Sequence, residues 1–265
     1  MLLTYLWIID VLIISSDASL CMAFMAVLYQ VRTKRSAQGL SLQTLSLVVT
    51  ARVLHLLSHP FDLHFEPSML PSWLYSLLDV ASAFLGCFVL WWVSQHALDT
   101  YEGSKDTFGE SLMRRFIWPD APSEGIPLVL VRAGFSWLIA LVLALIWWAL
   151  RRSPQSFLAS YFACVYEVLG AISLLPQLYM FQKDRVASPQ LANFVVLIAL
   201  NRLCTLGFWI VYPWVYYWRY PDNRGIQMLS EFINILIISD FLFYYVRAKI
   251  RGEGFVRIPV REELV

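Results

Sequence analysis

The sequence is short of charge. Asp, Glu, Lys and Arg together make up 15% of its 265 residues, against about a quarter in an ordinary soluble domain. A chain of this length could bury a soluble core but could not wrap it in so thin a polar shell. Cysteine is scarce as well. Cys21, Cys87, Cys164 and Cys204 each lie inside an apolar stretch, without paired spacing or a nearby histidine, which marks them as packing residues and not as disulfides or metal ligands. There is no Gly-x-Gly-x-x-Gly, no Walker loop, no His-Glu-x-x-His and no hydrolase signature, so neither an enzyme nor a cofactor is expected. A net charge of +1 leaves no nucleic-acid footprint. The first residues, Met1–Ser16, are apolar but lack a basic leader and carry Asp10; no cleaved signal peptide is expected.

What is present is apolar residues, 59% of the chain, drawn out in stretches of about 20, the length that crosses a bilayer. The sequence reads as an all-α polytopic membrane protein with seven transmembrane helices, over 11–29, 41–58, 71–97, 127–150, 157–182, 190–213 and 226–248. Breakers and charges fall between them: Arg32-Thr33-Lys34-Arg35, His59-Pro60-Phe61-Asp62, the long polar stretch Tyr101–Ser123, Arg151-Arg152-Ser153-Pro154, Gln182-Lys183-Asp184-Arg185 and Tyr220–Gly225. Loops one, three and five and the tail hold 13 basic residues, and the other side holds four: Arg151, Arg152, Arg219 and Arg224. The positive-inside rule then puts the C-terminus in the cytosol and the N-terminus on the lumenal or outer side. Arg132, like Arg52 and Arg202, lies in or near a span.

The chain also repeats itself at a shift of 150 residues: Leu28-Tyr29 and Leu178-Tyr179, Arg35 and Arg185, Arg52 and Arg202. Two three-helix units share an orientation only if an odd number of spans separates them. This gives a parallel 3+1+3 arrangement within a single transmembrane domain spanning 1–265: a first unit at 11–97, a linker helix at 127–150, a second unit at 157–248, and a cytosolic tail at 249–265. Parallel repeats of this kind occur in transporters, with the site between the halves.

Charges inside the membrane are costly, so each is a functional candidate. Arg52 sits in the otherwise apolar Leu45–Leu57 with His55 three residues on, on the same helix face. It is either a structural partner of Asp17 or Asp79 or an anion site, since a guanidinium forks onto a carboxylate or phosphate. Arg202, beside Asn201, poses the same choice, with Glu167 or Asp240 to neutralise it. His55 could take up a proton when an anionic ligand arrives beside Arg52. Pro176-Gln177 breaks the fifth apolar stretch. Most of the clustered aromatics, such as Trp91-Trp92, Trp147-Trp148 and Trp209 to Trp218, read as interfacial belts.

Four segments carry a resemblance: Gly39-Leu40-Ser41-Leu42-Gln43-Thr44 followed by Thr50-Ala51-Arg52; Tyr101-Glu102-Gly103-Ser104-Lys105-Asp106-Thr107-Phe108; Leu175-Pro176-Gln177-Leu178; and Asp240-Phe241 with its aromatic run and a basic tail ending near Ile258-Pro259. In order and spacing they resemble the KDEL-receptor (ER lumen protein-retaining receptor) family. The resemblance implies a seven-span PQ-loop/SWEET-like fold and a cargo receptor in endoplasmic reticulum and Golgi membranes. Such a receptor binds a C-terminal peptide signal of lumenal proteins and meets the COPI coat through its cytosolic tail. Carried over by position, the ligand site would comprise Arg52, His55, Glu167, Asn201, Arg202, Trp209 and Tyr212, and trafficking would rest on Asp240, Arg247, Lys249 and Arg251. Ile13, Leu20, His55, Asn201, Thr205, Phe208 and Tyr212 depart from the family's pattern, and Glu253-Gly254 replaces its tail lysine pair. Two other readings stand beside this one: a small-solute transporter of the PQ-loop or SWEET type, and a trafficking protein without a ligand.

Overall fold

A computed structural model describes residues 2–58, 70–120, 126–151, 157–216 and 224–258. The segments His59-Pro60-Phe61-Asp62, Arg152-Ser153-Pro154, Arg219 and Pro259 and the side chains of Arg132, Arg151 and Arg224 lie outside what is described. Among the described residues there are nine α-helices, most of them following the apolar stretches: α1 Leu2–Lys34, α2 Leu42–Ser58, α3 Ser72–His96, α4 Glu110–Phe116, α5 Ile126–Arg151, α6 Phe157–Ile172, α7 Leu175–Asp184, α8 Pro189–Tyr216 and α9 Arg224–Ile250. The two-residue strands β1 (Val186–Ala187) and β2 (Val256–Arg257) pair antiparallel.

Several boundaries follow from local chemistry. Ser41 opens α2, its hydroxyl accepting the Thr44 N–H at 3.1 Å, as an N-cap does. α1 begins well before the expected 11. The residues ahead of it are apolar without a breaker, and Asp10, fully buried, accepts a hydrogen bond from the Tyr75 hydroxyl at 2.6 Å. The fifth apolar stretch is two helices. Pro176 has no N–H to give and takes a place in the first turn of α7, so the break falls at Ser173-Leu174. Residues 110–116, expected as loop, form α4 behind Gly109, whose φ of 76° suits glycine.

Five helical segments among the described residues are long and apolar enough to cross a membrane: Leu3–Lys34, Trp73–His96, Ser160–Asp184, Pro189–Tyr212 and Met228–Ile250. The expected second and fourth spans are shorter, at Leu42–Ser58 and, for the described side chains of α5, Gly134–Leu150. The 17 residues of α2 extend about 26 Å, just under a bilayer's apolar thickness, and they carry Arg52 and His55.

α1 lies along α8 and α2 along α6. α3 packs on α1 and α2, α9 on α8 and α6, and α5 covers α6. The main core lies where α1, α2, α7 and α8 meet, built on Phe24, Leu45, Phe181, Leu191 and Phe194. Gly86 lets α3 approach α1 closely, since a Cβ there would meet the Phe24 ring at 2.8 Å. The two non-glycine residues with positive φ among those described are Arg35 at 47° and Arg185 at 58°, the pair related by the 150-residue shift. Each ends a helix in the left-handed conformation, and each is followed two residues on by a fully buried alanine, Ala37 and Ala187.

Candidate functional site

Arg52 reaches from α2 into the seam between α1 and α3. Its Nε donates to Ser82 Oγ at 2.6 Å, and Nη2 donates to both Asp17 Oδ1 and Asp79 Oδ1. Ser82 in turn donates to the Asp79 carbonyl at 2.9 Å. The Arg52 side chain is 12% exposed, Asp17 7% and Asp79 27%. Of the alternatives the sequence left open, the structural pairing is therefore present, and with both acids. His55, one turn on, brings Nδ1 to 4.0 Å from Asp79 Oδ1 and sets its ring edge-on to Tyr166 of α6 at 4.9 Å. Two carboxylates share one guanidinium, and the imidazole stands on the more exposed side.

The second half has a matching cluster. Arg202 Nη1 donates to Glu231 Oε1 of α9 at 3.2 Å. The partners expected from sequence were Glu167 or Asp240, and both expectations are corrected. Glu167 Oε2 accepts from Trp147 Nε1 at 2.9 Å. Asp240 is exposed much further along α9, in a small cleft with Gln182, Tyr244 and Ile258. The Arg202 guanidinium lies against Gly170, where any Cβ would collide with it, and Asn234 Nδ2 donates to the Gly170 carbonyl at 3.2 Å. Arg202 Nε, Glu231 Oε2 and Asn234 Oδ1 are buried without a hydrogen-bond partner among the described residues.

Sequence reasoning passed over Glu231, although spacing could have found it. Arg52 lies 27 residues before its acid on α3 and Arg202 29 before its acid on α9. Ser82 and Asn234 each follow that acid by three, and the 150-residue shift carries Asp17 onto Glu167.

The remaining candidates separate. Asn201 faces α1, Nδ2 donating to Ser16 O at 2.9 Å and Ser16 Oγ at 2.7 Å, with Thr205 Oγ1 3.2 Å from the same hydroxyl. Trp209 and Tyr212 join Phe208 in an aromatic cluster, with centroids 5.0 to 5.5 Å apart, packed on Ile9, Leu12 and Ile13. Arg52 with His55, Arg202 with Glu231, Glu167 with Trp147, and the α1–α8 seam with Asn201, Trp209 and Tyr212 are separate places. Asp240, Arg247, Lys249 and Arg251 lie toward the other end of α9.

At that other end three of the sequence motifs meet. Gln177 Oε1 accepts the Ser41 N–H at 2.8 Å, its Nε2 donates to Gly39 O at 2.7 Å, and its own N–H donates to Thr44 Oγ1 at 2.9 Å. Fully buried Asp106 accepts from Ser41 Oγ at 2.9 Å, Tyr101 Oη at 2.6 Å and the Gln43 N–H at 3.3 Å. Burial pushes the Asp106 carboxyl above the ordinary aspartate range, opposed by hydrogen bonds from Tyr101, Ser41 and the backbone of Gln43 and Leu42. Lys183 donates to Thr107 Oγ1 at 2.6 Å, and Lys105 pairs with Asp184 at 2.9 Å. The loops after α1 and α3 are thereby tied to α7.

Such a bundle, with apolar outer faces, buried charge pairs and a polar lattice at one end, is that of a multi-pass helical membrane protein. The model of one family, the ER lumen protein retaining receptors, matches residues 36–212, which covers all three motifs of the lattice, and the chain belongs to that family. It is similar to an ER lumen protein-retaining receptor of Dictyostelium discoideum, 21% identical over 237 residues, covering 88% of this chain and 92% of that protein. It is 29% identical over 91 residues to the ER lumen protein-retaining receptor of Saccharomyces cerevisiae, covering 33% and 38%. To ER lumen protein-retaining receptor 3 of Danio rerio it is 25% identical over 115 residues, covering 40% and 50%.

Proposed function

We propose that the chain is a cargo-retrieval receptor that binds a C-terminal retention-type peptide signal on lumenal proteins and returns them from Golgi to endoplasmic reticulum. The observation that carries this reading is the convergence of the family's motifs. Gly39–Thr44, Tyr101–Phe108 and Leu175–Leu178, far apart in sequence, form one hydrogen-bonded lattice. In this reading the N-terminus is lumenal, the tail end is cytosolic, and exposed Lys249 is offered to the COPI coat. The 3+1+3 arrangement is supported by reciprocal packing. Under the repeat, α1 corresponds to α6–α7, α2 to α8 and α3 to α9, so α1 on α8 and α2 on α6 are one contact seen twice.

A ligand carboxylate that forks onto Arg52 through Nη2 takes the place of a carboxylate already held there. Asp79 is the one to yield, being 27% exposed where Asp17 is 7%. A protonated His55, 4.0 Å from Asp79, offers that carboxylate a second cation and so eases the exchange; acid then favours binding by linkage. The ligand's flank would run over Trp209 and Tyr212 toward Arg202 and Asn201. Displaceable binding of C-terminal tetrapeptides to the purified protein tests the reading. A runner-up, a small-solute transporter, draws on the helix break ahead of Pro176, a hinge of the kind alternating access uses. Solute flux in proteoliposomes without saturable peptide binding would put it first.

A further inference from the structure

The three basic residues at the end of α9 fall on different faces. Exposed Lys249 holds its Nζ 5.6 Å over the Tyr245 ring, on the side where the Tyr245 hydroxyl donates to Asn193 of α8 at 2.9 Å. Arg247 and Arg251, one turn apart, line a shallow outward cleft of about 290 Å³ with Phe243, Val246 and Ile250. Its floor is bare: Phe243 is 61%, Val246 52% and Ile250 81% exposed.

The described part of the tail, to Ile258, does not fold back over this cleft. The chain leaves the helix at Gly252, φ 69°, and is then tied elsewhere: Val256 is buried opposite Ala187, and the Ile258 N–H donates to Arg185 O at 3.0 Å. Arg247 has no carboxylate partner among the described residues, and Arg251 has a loose one in Glu253 at 3.9 Å. A strip that is apolar along the helix and doubly cationic at its end matches one occupant in charge and polarity. Acyl chains would cover Phe243, Val246 and Ile250, and a phosphate would meet the guanidinium pair, which forks onto phosphate oxygens.

We propose that the Arg247–Arg251 cleft binds the headgroup of an anionic phospholipid. The leaflet it draws from, the cytosolic one, rests on the orientation proposed above; the site itself does not depend on the peptide reading. Anionic lipid is concentrated in that leaflet, and each basic residue near its surface adds attraction. Arg247 and Arg251 thus anchor the end of α9 and leave Lys249 and the tail for partners in solution.

The test is native mass spectrometry of the full chain released from mixed phosphatidylcholine and phosphatidylinositol 4-phosphate micelles. Wild type retains the anionic lipid. Arg247→Gln and Arg251→Gln each lower retention roughly fivefold and act together, Lys249→Gln leaves it unchanged, and Glu253→Gln raises it by freeing Arg251. Soluble inositol phosphate does not displace the lipid. Equal loss in Lys249→Gln, or full retention in the double arginine variant, overturns the proposal, and displacement by inositol phosphate reassigns the cleft to free phosphate. Peptide binding by the same samples is a separate readout, so failure of the receptor reading leaves the lipid result standing. Melting in phosphatidylcholine alone, unchanged because both arginines are exposed, controls for folding.

Discussion

The chain has two arginine clusters, Arg52 among α1, α2 and α3 and Arg202 among α6, α8 and α9, and they are satisfied to different degrees. In the first, Arg52 spends Nε on Ser82 and Nη2 on Asp17 and Asp79. In the second, Arg202 is paired with Glu231, while Arg202 Nε, Glu231 Oε2 and Asn234 Oδ1 find no partner among the described residues. The backbone tells the same story. Gly170, against which Arg202 lies, leaves the room the guanidinium fills, since a Cβ there would strike Nη2. The Arg52 guanidinium is therefore the more completely locked of the two, held at Nε and by two acids, and Arg202 the less completely bonded. A buried polar atom left unmade costs about 1–3 kcal/mol, so the second half is the place where a water or a polar group of a ligand gains most by entering.

The largest expected effect comes from opening the lock. Arg52→Ala leaves buried Asp17 and part-exposed Asp79 side by side without a counter-ion and is expected to destabilise the fold by up to about 3–5 kcal/mol. Arg202→Ala, removing a less complete set of bonds, is expected to cost clearly less. Thermal unfolding in detergent of the two variants side by side checks the ranking, and equal losses would erase the distinction between the halves. Next in size is Gly170→Ala, whose Cβ strikes the guanidinium; overpacking of this kind costs about 1–3 kcal/mol. Gly134→Ala, which meets the flexible end of Met113 at 3.3 Å, should be nearly silent.

His55→Gln sharpens the comparison through pH. If the imidazole helps draw Asp79 away, this variant flattens the dependence of peptide affinity on pH between about 5 and 7, whereas Glu167→Gln in the second half leaves it intact. The reverse outcome would move the sensor to the second cluster.

The smallest effect concerns Asp106 at the lattice. Its carboxyl is raised above the ordinary aspartate range, chiefly by burial. The folded protein therefore holds that proton more firmly than the unfolded chain. Stability from this group is present below the ordinary aspartate value and is lost as pH rises through the raised one. Asp106→Asn should remove that part of the slope of melting temperature against pH, which a titration of both proteins would read.

Much of this was legible in the sequence. The ends of α2, α3, α5, α8 and α9 lie within a few residues of the expected boundaries, because apolar runs there stop at proline or charge. α1 starts earlier than the expected 11, and only the fold shows Tyr75 meeting Asp10 within it. Arg52 was traced to Asp17 or Asp79, since both acids lay in otherwise apolar stretches. Glu231 was missed for the opposite reason: it stands near the start of α9 beside Ser230 and Gln227, where polar residues are unremarked. Which of several acids reaches an arginine depends on helix rotation and crossing, which no local pattern carries. The meeting of Gln177, Ser41 and Asp106 is likewise tertiary, and nothing in the spacing of their motifs joins them.

The central claim is that the ligand's carboxylate takes Asp79's place on Arg52. Equilibrium displacement of a labelled C-terminal tetrapeptide, compared between wild type and Asp79→Asn, tests it most directly. Releasing a hydrogen bond to a charged group, worth about 1.5–3 kcal/mol, should raise affinity roughly tenfold or more in Asp79→Asn. Arg52→Lys, which keeps the charge but cannot fork, should bind weakly. An unchanged or lower affinity in Asp79→Asn would contradict the account and leave the Arg52 cluster a purely structural lock.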